Sequence, residues 1–151
     1  SVIPLFESIK HTGKFPITDK SMTRFMITLE EGVELVLTAL KDMCGGEIFV
    51  KKIPSMHILE IAKAVCPSAE TTIIGIRPGE KLHEEMITVS DALNTYDIGK
   101  YYAILPSSGN NSIKNYSSKL KFKKVKKDFS YNSGNNKFLS VKEIKKIISK
   151  L

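Results

Sequence analysis

Apolar positions along this chain alternate between helical spacing and short extended runs, and the two patterns follow one another from end to end. Val2, Ile3, Leu5, Phe6 and Ile9 predict a short amphipathic helix over Val2–His11, entered through Pro4 and closed by Thr12-Gly13. Phe15-Pro16-Ile17 reads as a brief extended segment, Thr18 to Ser21 as a polar turn, and Met22 to Ile27 as a second extended piece. Thr28 is placed to cap the next helix, with Glu30 and Glu31 in the first turn, where the positive end of the helix dipole favours carboxylates. Its apolar positions Val33, Val36, Leu37 and Leu40 share one face, and Gly45-Gly46 ends it.

Glu47 to Val50 predicts a short strand. Ser55 reads as another cap, for a helix whose Ile58, Ile61, Ala62 and Val65 face inward and which stops before Pro67. The β-branched run Thr71 to Ile76 is the strongest strand signal, and Arg77-Pro78-Gly79-Glu80 follows it directly as a loop. Glu84 to Val89 and Tyr101 to Leu105 are further extended segments. Ser140 with Glu143 forms a capping-box pattern for a last helix striped by Ile144, Ile147, Ile148 and Leu151. This order of short strands and helices defines a mixed α/β fold.

A length of 151 residues suits one domain, or a small domain with a tail. At 42% hydrophobic and 26% charged, the composition excludes a wholly disordered chain. The net charge of +7 is unevenly placed. Ser112 to Leu151 holds 12 lysines against Asp128 and Glu143, a surplus of +10, whereas Ser1 to Asn111 has 11 basic and 14 acidic residues, or −3. A mildly acidic body with a basic extension is therefore expected, not a nucleic-acid-binding core. The expected division is a binding domain over 1–106, a Ser/Gly/Asn-rich linker or loop over 107–118, and a basic extension with a final helix over 119–151.

Cys44 and Cys66 have no metal-ligand spacing, so no zinc site is expected and both read as buried reduced thiols of a cytoplasmic protein. No apolar stretch approaches the roughly 20 residues of a membrane span. Ser1 to Phe6 lacks the basic start of a secretory leader, so none is expected.

Candidate chemistry concentrates in Arg77-Pro78-Gly79-Glu80. The Pro-Gly pair forces a tight turn that turns the flanking charges outward. An arginine fork at a strand end suits a diphosphate, and a carboxylate three residues on can accept from a ribose hydroxyl. An exposed turn with a surface Arg–Glu pair satisfies the same spacing. Arg24 is the second candidate, because it interrupts the apolar run Met22 to Ile27; a bound anion or a salt-bridged core arginine both explain it. His57 and His83 have no nucleophile beside them in sequence and read as surface or hydrogen-bonded residues, and His11 sits at a helix end. No glycine-rich phosphate loop, paired-carboxylate or catalytic triad pattern stands out, so no catalytic residue is assigned.

Longer runs carry a family resemblance. Pro16-Ile17-Thr18-Asp19 through Met22-Thr23-Arg24-Phe25-Met26-Ile27-Thr28-Leu29-Glu30 resembles the inverting UDP-N-acetylglucosamine 4,6-dehydratases. So do Gly45-Gly46-Glu47-Ile48-Phe49-Val50 with Lys52-Ile53-Pro54-Ser55-Met56, and Ile74-Gly75-Ile76-Arg77-Pro78-Gly79-Glu80-Lys81-Leu82-His83-Glu84. These enzymes belong to the polysaccharide-biosynthesis dehydratases and epimerases of the extended short-chain dehydrogenase/reductase class. The likeness covers roughly residues 1 to 105, with weaker matches at Tyr131-Asn132-Ser133 and Leu139-Ser140.

The resemblance implies an α/β C-terminal substrate-binding lobe whose N-terminal Rossmann domain is absent from this chain. It implies that Arg24 and Arg77 bind the diphosphate of a UDP-sugar, Glu80 the ribose, and Pro16 and Ile17 the uracil side. In such enzymes a Rossmann domain binds NADP, and a Tyr-x-x-x-Lys pair supports hydride transfer before water is lost across C5 and C6. Tyr96 and Lys100 show that spacing, but they follow the Arg77 motif and are taken as a chance match. The fragment is thus expected to be inactive alone and to hold no cofactor itself. The parent would be a cytoplasmic NADP-dependent lyase of glycan synthesis, and a homo-oligomer. A UDP-sugar 4- or 5-epimerase is the alternative within the class. A non-enzymatic module using the lysine-rich run Lys119 to Lys127 on anionic surfaces is the alternative outside it; in the plainer reading, Leu120, Phe122 and Val125 pack inward and the lysines face water. An apolar Ser1–Phe6 helix partly exposed without its Rossmann partner is also expected, with self-association as the consequence.

Overall fold

The computed structural model describes residues 2–107 and 122–150. The helices are α1 (Val2–Ile9), α2 (Leu29–Asp42), α3 (Ile58–Val65) and α4 (Val141–Ile148). The strands are β1 (Lys14–Ile17), β2 (Thr23–Phe25), β3 (Ile48–Lys51), β4 (Ser55–His57), β5 (Glu70–Ile73), β6 (Glu85–Ile87), β7 (Thr95–Asp97), β8 (Tyr101–Ile104), β9 (Lys123–Lys124) and β10 (Tyr131–Asn132). The mixed α/β class is the one expected.

Two compact units interleave along the sequence. The first gathers Ser1–Met26, Pro54–Glu84 and Asn132–Leu151; the second gathers Ile27–Ile53 and Glu85–Tyr131. This is not the division that composition suggested. The final helix is no extension, because Ile144 of α4 is fully buried in the same core as Phe6, Phe15, Ile17 and Ile61. The expected linker lies, beyond Ser107, outside the described residues.

In the first unit β1 runs parallel to β5 with Pro16 opposite Thr72 and Ile17 opposite Ile73. The amide of Ile74 adds one further bond to the carbonyl of Ile17, and Gly75 at φ +84° then turns the chain away. The strand expected over Thr71–Ile76 is accordingly shorter. β2 pairs antiparallel with β4, bringing Arg24 opposite Met56. Ser55 caps nothing: its amide and carbonyl bond Lys137 and Leu139, its hydroxyl accepts from Asn136, and the helix starts only at Ile58. α1 packs Ile3 and Phe6 inward and leaves Pro4 and Leu5 exposed, so it is partly exposed, as expected. Both predicted caps form: Ser140 makes the expected capping box with Glu143, and Thr28, expected as a simple N-cap, makes one with Glu31 as well.

The second unit is a four-stranded sheet in the order β3-β8-β7-β9. Tyr96, Ala103 and Leu105 form its core, which makes Tyr96 a packing residue. Phe122 meets the Tyr96 ring edge-on at 5.1 Å, while Lys123 and Lys124 are exposed, so this part of the lysine-rich run is a solvated strand face. The Tyr131 hydroxyl donates to the carbonyl of Ile53 and accepts from its amide, each at 2.8 Å. Cys44 is exposed and Cys66 half-buried, not the buried pair expected, since Cys44 lies in the turn after α2.

α2 shows the largest departure. Its predicted apolar face exists, but Leu29, Val33, Val36, Leu37 and Leu40 all point to solvent, Leu37 being 62% exposed. Lys51 on Glu34 at 2.6 Å holds the other side of the helix to the sheet. An exposed aliphatic stripe of this kind drives association. The chain is expected to self-associate with rising concentration in sedimentation velocity, and Val36→Glu with Leu37→Glu to suppress this while changing unfolding stability by less than about 0.5 kcal/mol per site. Monomeric wild-type protein at high concentration would refute the expectation. Among the described residues no helix is long and apolar enough to cross a membrane.

Candidate anion-binding cleft

Beyond β5 the residues Arg77 to Glu80 close a turn in which the Glu80 amide donates to the Arg77 carbonyl at 3.0 Å. Pro78 presets the second position, and Gly79 at φ +81° occupies the third, the left-handed site that a type II turn requires. The Glu80 carboxylate accepts from the Arg77 amide at 3.3 Å and from the Thr18 hydroxyl at 3.4 Å. That bond ties the Arg-Pro-Gly-Glu turn to the loop after β1. In the same loop the Ser21 hydroxyl and amide donate to Asp19 and hold its carboxyl below the usual aspartate range.

Arg24 enters from β2. Its Nη2 lies 3.9 Å from Glu80 and its Nε 3.4 Å from Glu84. Its Nη1 donates to the backbone carbonyls of Thr23 at 2.7 Å and Leu82 at 3.3 Å. Arg24 is therefore a part-buried, salt-bridged arginine, the second of the explanations open from sequence, and it also lines the cleft. Arg77 differs: among the described residues its guanidinium has no carboxylate partner within ion-pair distance.

These groups line a cleft of about 290 Å³ together with Pro16, Thr18 and the apolar Leu5, Phe6, Ile58 and Ile74. Arg24, Arg77, Glu80 and Pro16 thus come together as the sequence suggested. Ile17 does not join them. Successive strand residues face opposite ways, and Ile17 points with Phe15 into the core, where it is fully buried. A second hollow, about 610 Å³, lies along α2, but its lining of Ile27, Leu29, Val33, Val36 and Leu37 offers no charge for chemistry.

Sequence reasoning missed three contributors. Thr18 had only a turn signal. Glu84 lay in the motif without an assigned role. Ser133 sits 110 positions from Thr23, whose hydroxyl it meets at 2.7 Å, and no local pattern reports such a distance. Of the histidines, His83 bonds Thr23 through Nδ1 at 2.7 Å, as read, and His57 stacks on Phe138 with ring centroids 4.2 Å apart. Among the described residues no group of three or more His, Cys, Asp or Glu could hold a metal ion.

The chain is a mixed α/β protein in which a parallel strand pair delivers an Arg-Pro-Gly-Glu turn to an arginine–carboxylate cleft. It superposes on a solved structure, the X-ray structure of Pen from Bacillus thuringiensis, with a TM-score of 0.80 and 30% identity over 99% of this chain and 44% of that one. The chain belongs to the polysaccharide biosynthesis protein family, whose model matches residues 1–106. It is 47% identical to a UDP-N-acetylglucosamine 4,6-dehydratase (inverting) of Campylobacter jejuni subsp. jejuni serotype O:2, over 99% of this chain and 47% of the relative. It is 38% identical to a UDP-glucose 4-epimerase of Rickettsia felis over its whole length and 46% of that protein. The chain spans about half the length of the curated relatives it matches.

Proposed function

We propose that this chain is the UDP-sugar-binding part of a C5-inverting UDP-N-acetylglucosamine 4,6-dehydratase of surface glycan synthesis. The observation that carries the reading is the convergence of Arg24 from β2 with Arg77 and Glu80 from the turn beyond β5 on one cleft. In this reading Arg77, the guanidinium without an ion-pair partner, is the principal contact of the diphosphate. Arg24 adds its Nη2 edge, and Glu80 accepts from a ribose hydroxyl while remaining bonded to Thr18. Pro16 lies beside the base, with Ile17 supporting it from the core. The cleft of about 290 Å³ is at the lower end for small-molecule sites, so it accounts for part of a nucleotide sugar only.

A nicotinamide dinucleotide, when bound, would supply the hydride chemistry. The described residues do not fit its pyrophosphate: α2, α3 and α4 are entered through Thr28, His57 and Ser140, and no glycine loop opens onto a helix N-terminus. This chain's part is to bind and orient the nucleotide, and the fragment is expected to be inactive alone. In the full-length parent, a soluble homo-oligomer in this reading, the rest of the protein would bring the cofactor and the acid–base residues.

Titration calorimetry with UDP tests the site. Arg77→Ala is expected to weaken binding about 10- to 100-fold, the loss of a charge-assisted bond, and Arg24→Ala by less, because its charge is already shared with Glu80 and Glu84. No saturable UDP binding, or binding indifferent to Arg77, would end the proposal. The 4-epimerase reading is kept by relatives such as the Rickettsia felis epimerase, since the same contacts serve either reaction. For a full-length protein given UDP-N-acetylglucosamine, loss of one water by mass spectrometry supports the dehydratase, and unchanged mass with a new epimer supports the epimerase.

A further inference from the structure

Two of the four groups that hold Arg24, the Thr23 carbonyl on Nη1 and the Glu84 carboxylate on Nε, lead to one residue of the C-terminal segment. Ser133 is fully buried. Its amide donates to the Glu84 carbonyl at 2.8 Å, and its hydroxyl accepts from the Glu84 amide at 2.9 Å, so the Glu84 backbone is bracketed from both sides. The same hydroxyl lies 3.2 Å from the Thr23 carbonyl and 2.7 Å from the Thr23 hydroxyl, which in turn meets His83 Nδ1 at 2.7 Å.

Proton counting shows that the network closes. Ser133 has one hydroxyl proton and uses a lone pair on Glu84 N–H. If the proton goes to the Thr23 hydroxyl, the Thr23 proton goes to His83. If it goes to the Thr23 carbonyl, Thr23 donates to Ser133 and accepts from His83. Either arrangement satisfies all three side chains, as a buried network must. Gly134 completes the contact: a Cβ there would stand 2.8 Å from the His83 ring, so this segment approaches His83 more closely than any other residue would permit.

We propose that Ser133 is a positioning residue of the cleft: by holding the Thr23 carbonyl and the Glu84 backbone it fixes Nη1 and Nε of Arg24 and leaves Nη2 as the edge offered to a ligand. The described stretch around Ser133 and Gly134, which lies beyond residue 106 where the family match ends, is on this view part of the binding apparatus. The proposal rests on the reading of the cleft as a UDP site.

A double-mutant cycle separates positioning from plain structural support. UDP affinity and thermal midpoint are measured for wild type, Ser133→Ala, Arg24→Ala and the double variant. Ser133→Ala is expected to weaken UDP about five- to tenfold in the wild-type background and less than about twofold once Arg24 is alanine. Equal losses in both backgrounds, or no loss in the first, would overturn it. Should Ser133→Ala not fold, Thr23→Val and Thr23→Ser run the same cycle; valine should lose affinity and serine, which keeps the hydroxyl, should restore it. Loss with both, or with neither, counts against the proposal. The Arg24 Nε–H resonance gives a ligand-independent readout. If wild type binds no UDP the cleft reading fails by itself, while faster exchange of that proton in Ser133→Ala still supports positioning and unchanged exchange rejects it.

Discussion

Phe6→Ala is expected to remove a large share of the chain's unfolding stability. The Phe6 ring is 1% exposed and stacks on Phe15 with centroids 4.6 Å apart and planes 6° from parallel. Truncation removes the transfer energy of the ring, opens a cavity and deletes the aromatic pair, together about 3–5 kcal/mol. Domains of this size have only about 5–15 kcal/mol in hand. Urea denaturation followed by far-UV circular dichroism checks the value. Leu5→Ala is the control: Leu5 is half exposed on the same helix and should cost under about 1 kcal/mol. Comparable losses at the two positions would mean that α1 does not pack through Ile3 and Phe6.

Ile144→Ala is the second large effect, about 2–5 kcal/mol. Ile144 is fully buried beside α3 residues in the first unit although it lies in the last tenth of the chain. A basic tail merely appended to a folded body would tolerate this change with no shift in the body's thermal midpoint. The interleaved unit instead predicts one cooperative transition displaced as a whole. Lys145→Ala and Lys146→Ala, on the exposed side of the same helix, should stay within about 0.5 kcal/mol of wild type. A second, separate transition in the Ile144 variant would restore the picture of an independent extension.

Much of the cleft was legible beforehand. The Arg77-Pro78-Gly79-Glu80 turn follows from its own four residues, since proline and glycine set the two central dihedrals wherever the segment lies. Arg24 stood out because a charge in an apolar strand requires a partner, and the structure supplies Glu80 and Glu84. The resemblance gave Pro16 and Ile17 one role, but strand alternation sends neighbours to opposite faces, and Ile17 is buried in the core while Pro16 lines the cleft. Ser55 misled for a related reason: a serine before an apolar helical run looks like a cap until another segment takes its backbone bonds.

By itself the sequence determined what local interactions decide: the two helix caps at Thr28 and Ser140, the type II turn at Pro78-Gly79, and the α/β order of elements. Their partners lie within four residues, so the chain's own neighbours settle them. Only the tertiary structure decided that α2 turns its aliphatic face outward, that α4 completes the first core, and that Ser133 reaches Thr23 and Glu84. An amphipathic stripe states that a face is apolar, not what covers it. A buried serine states nothing until distant groups with matching donors and acceptors are brought against it.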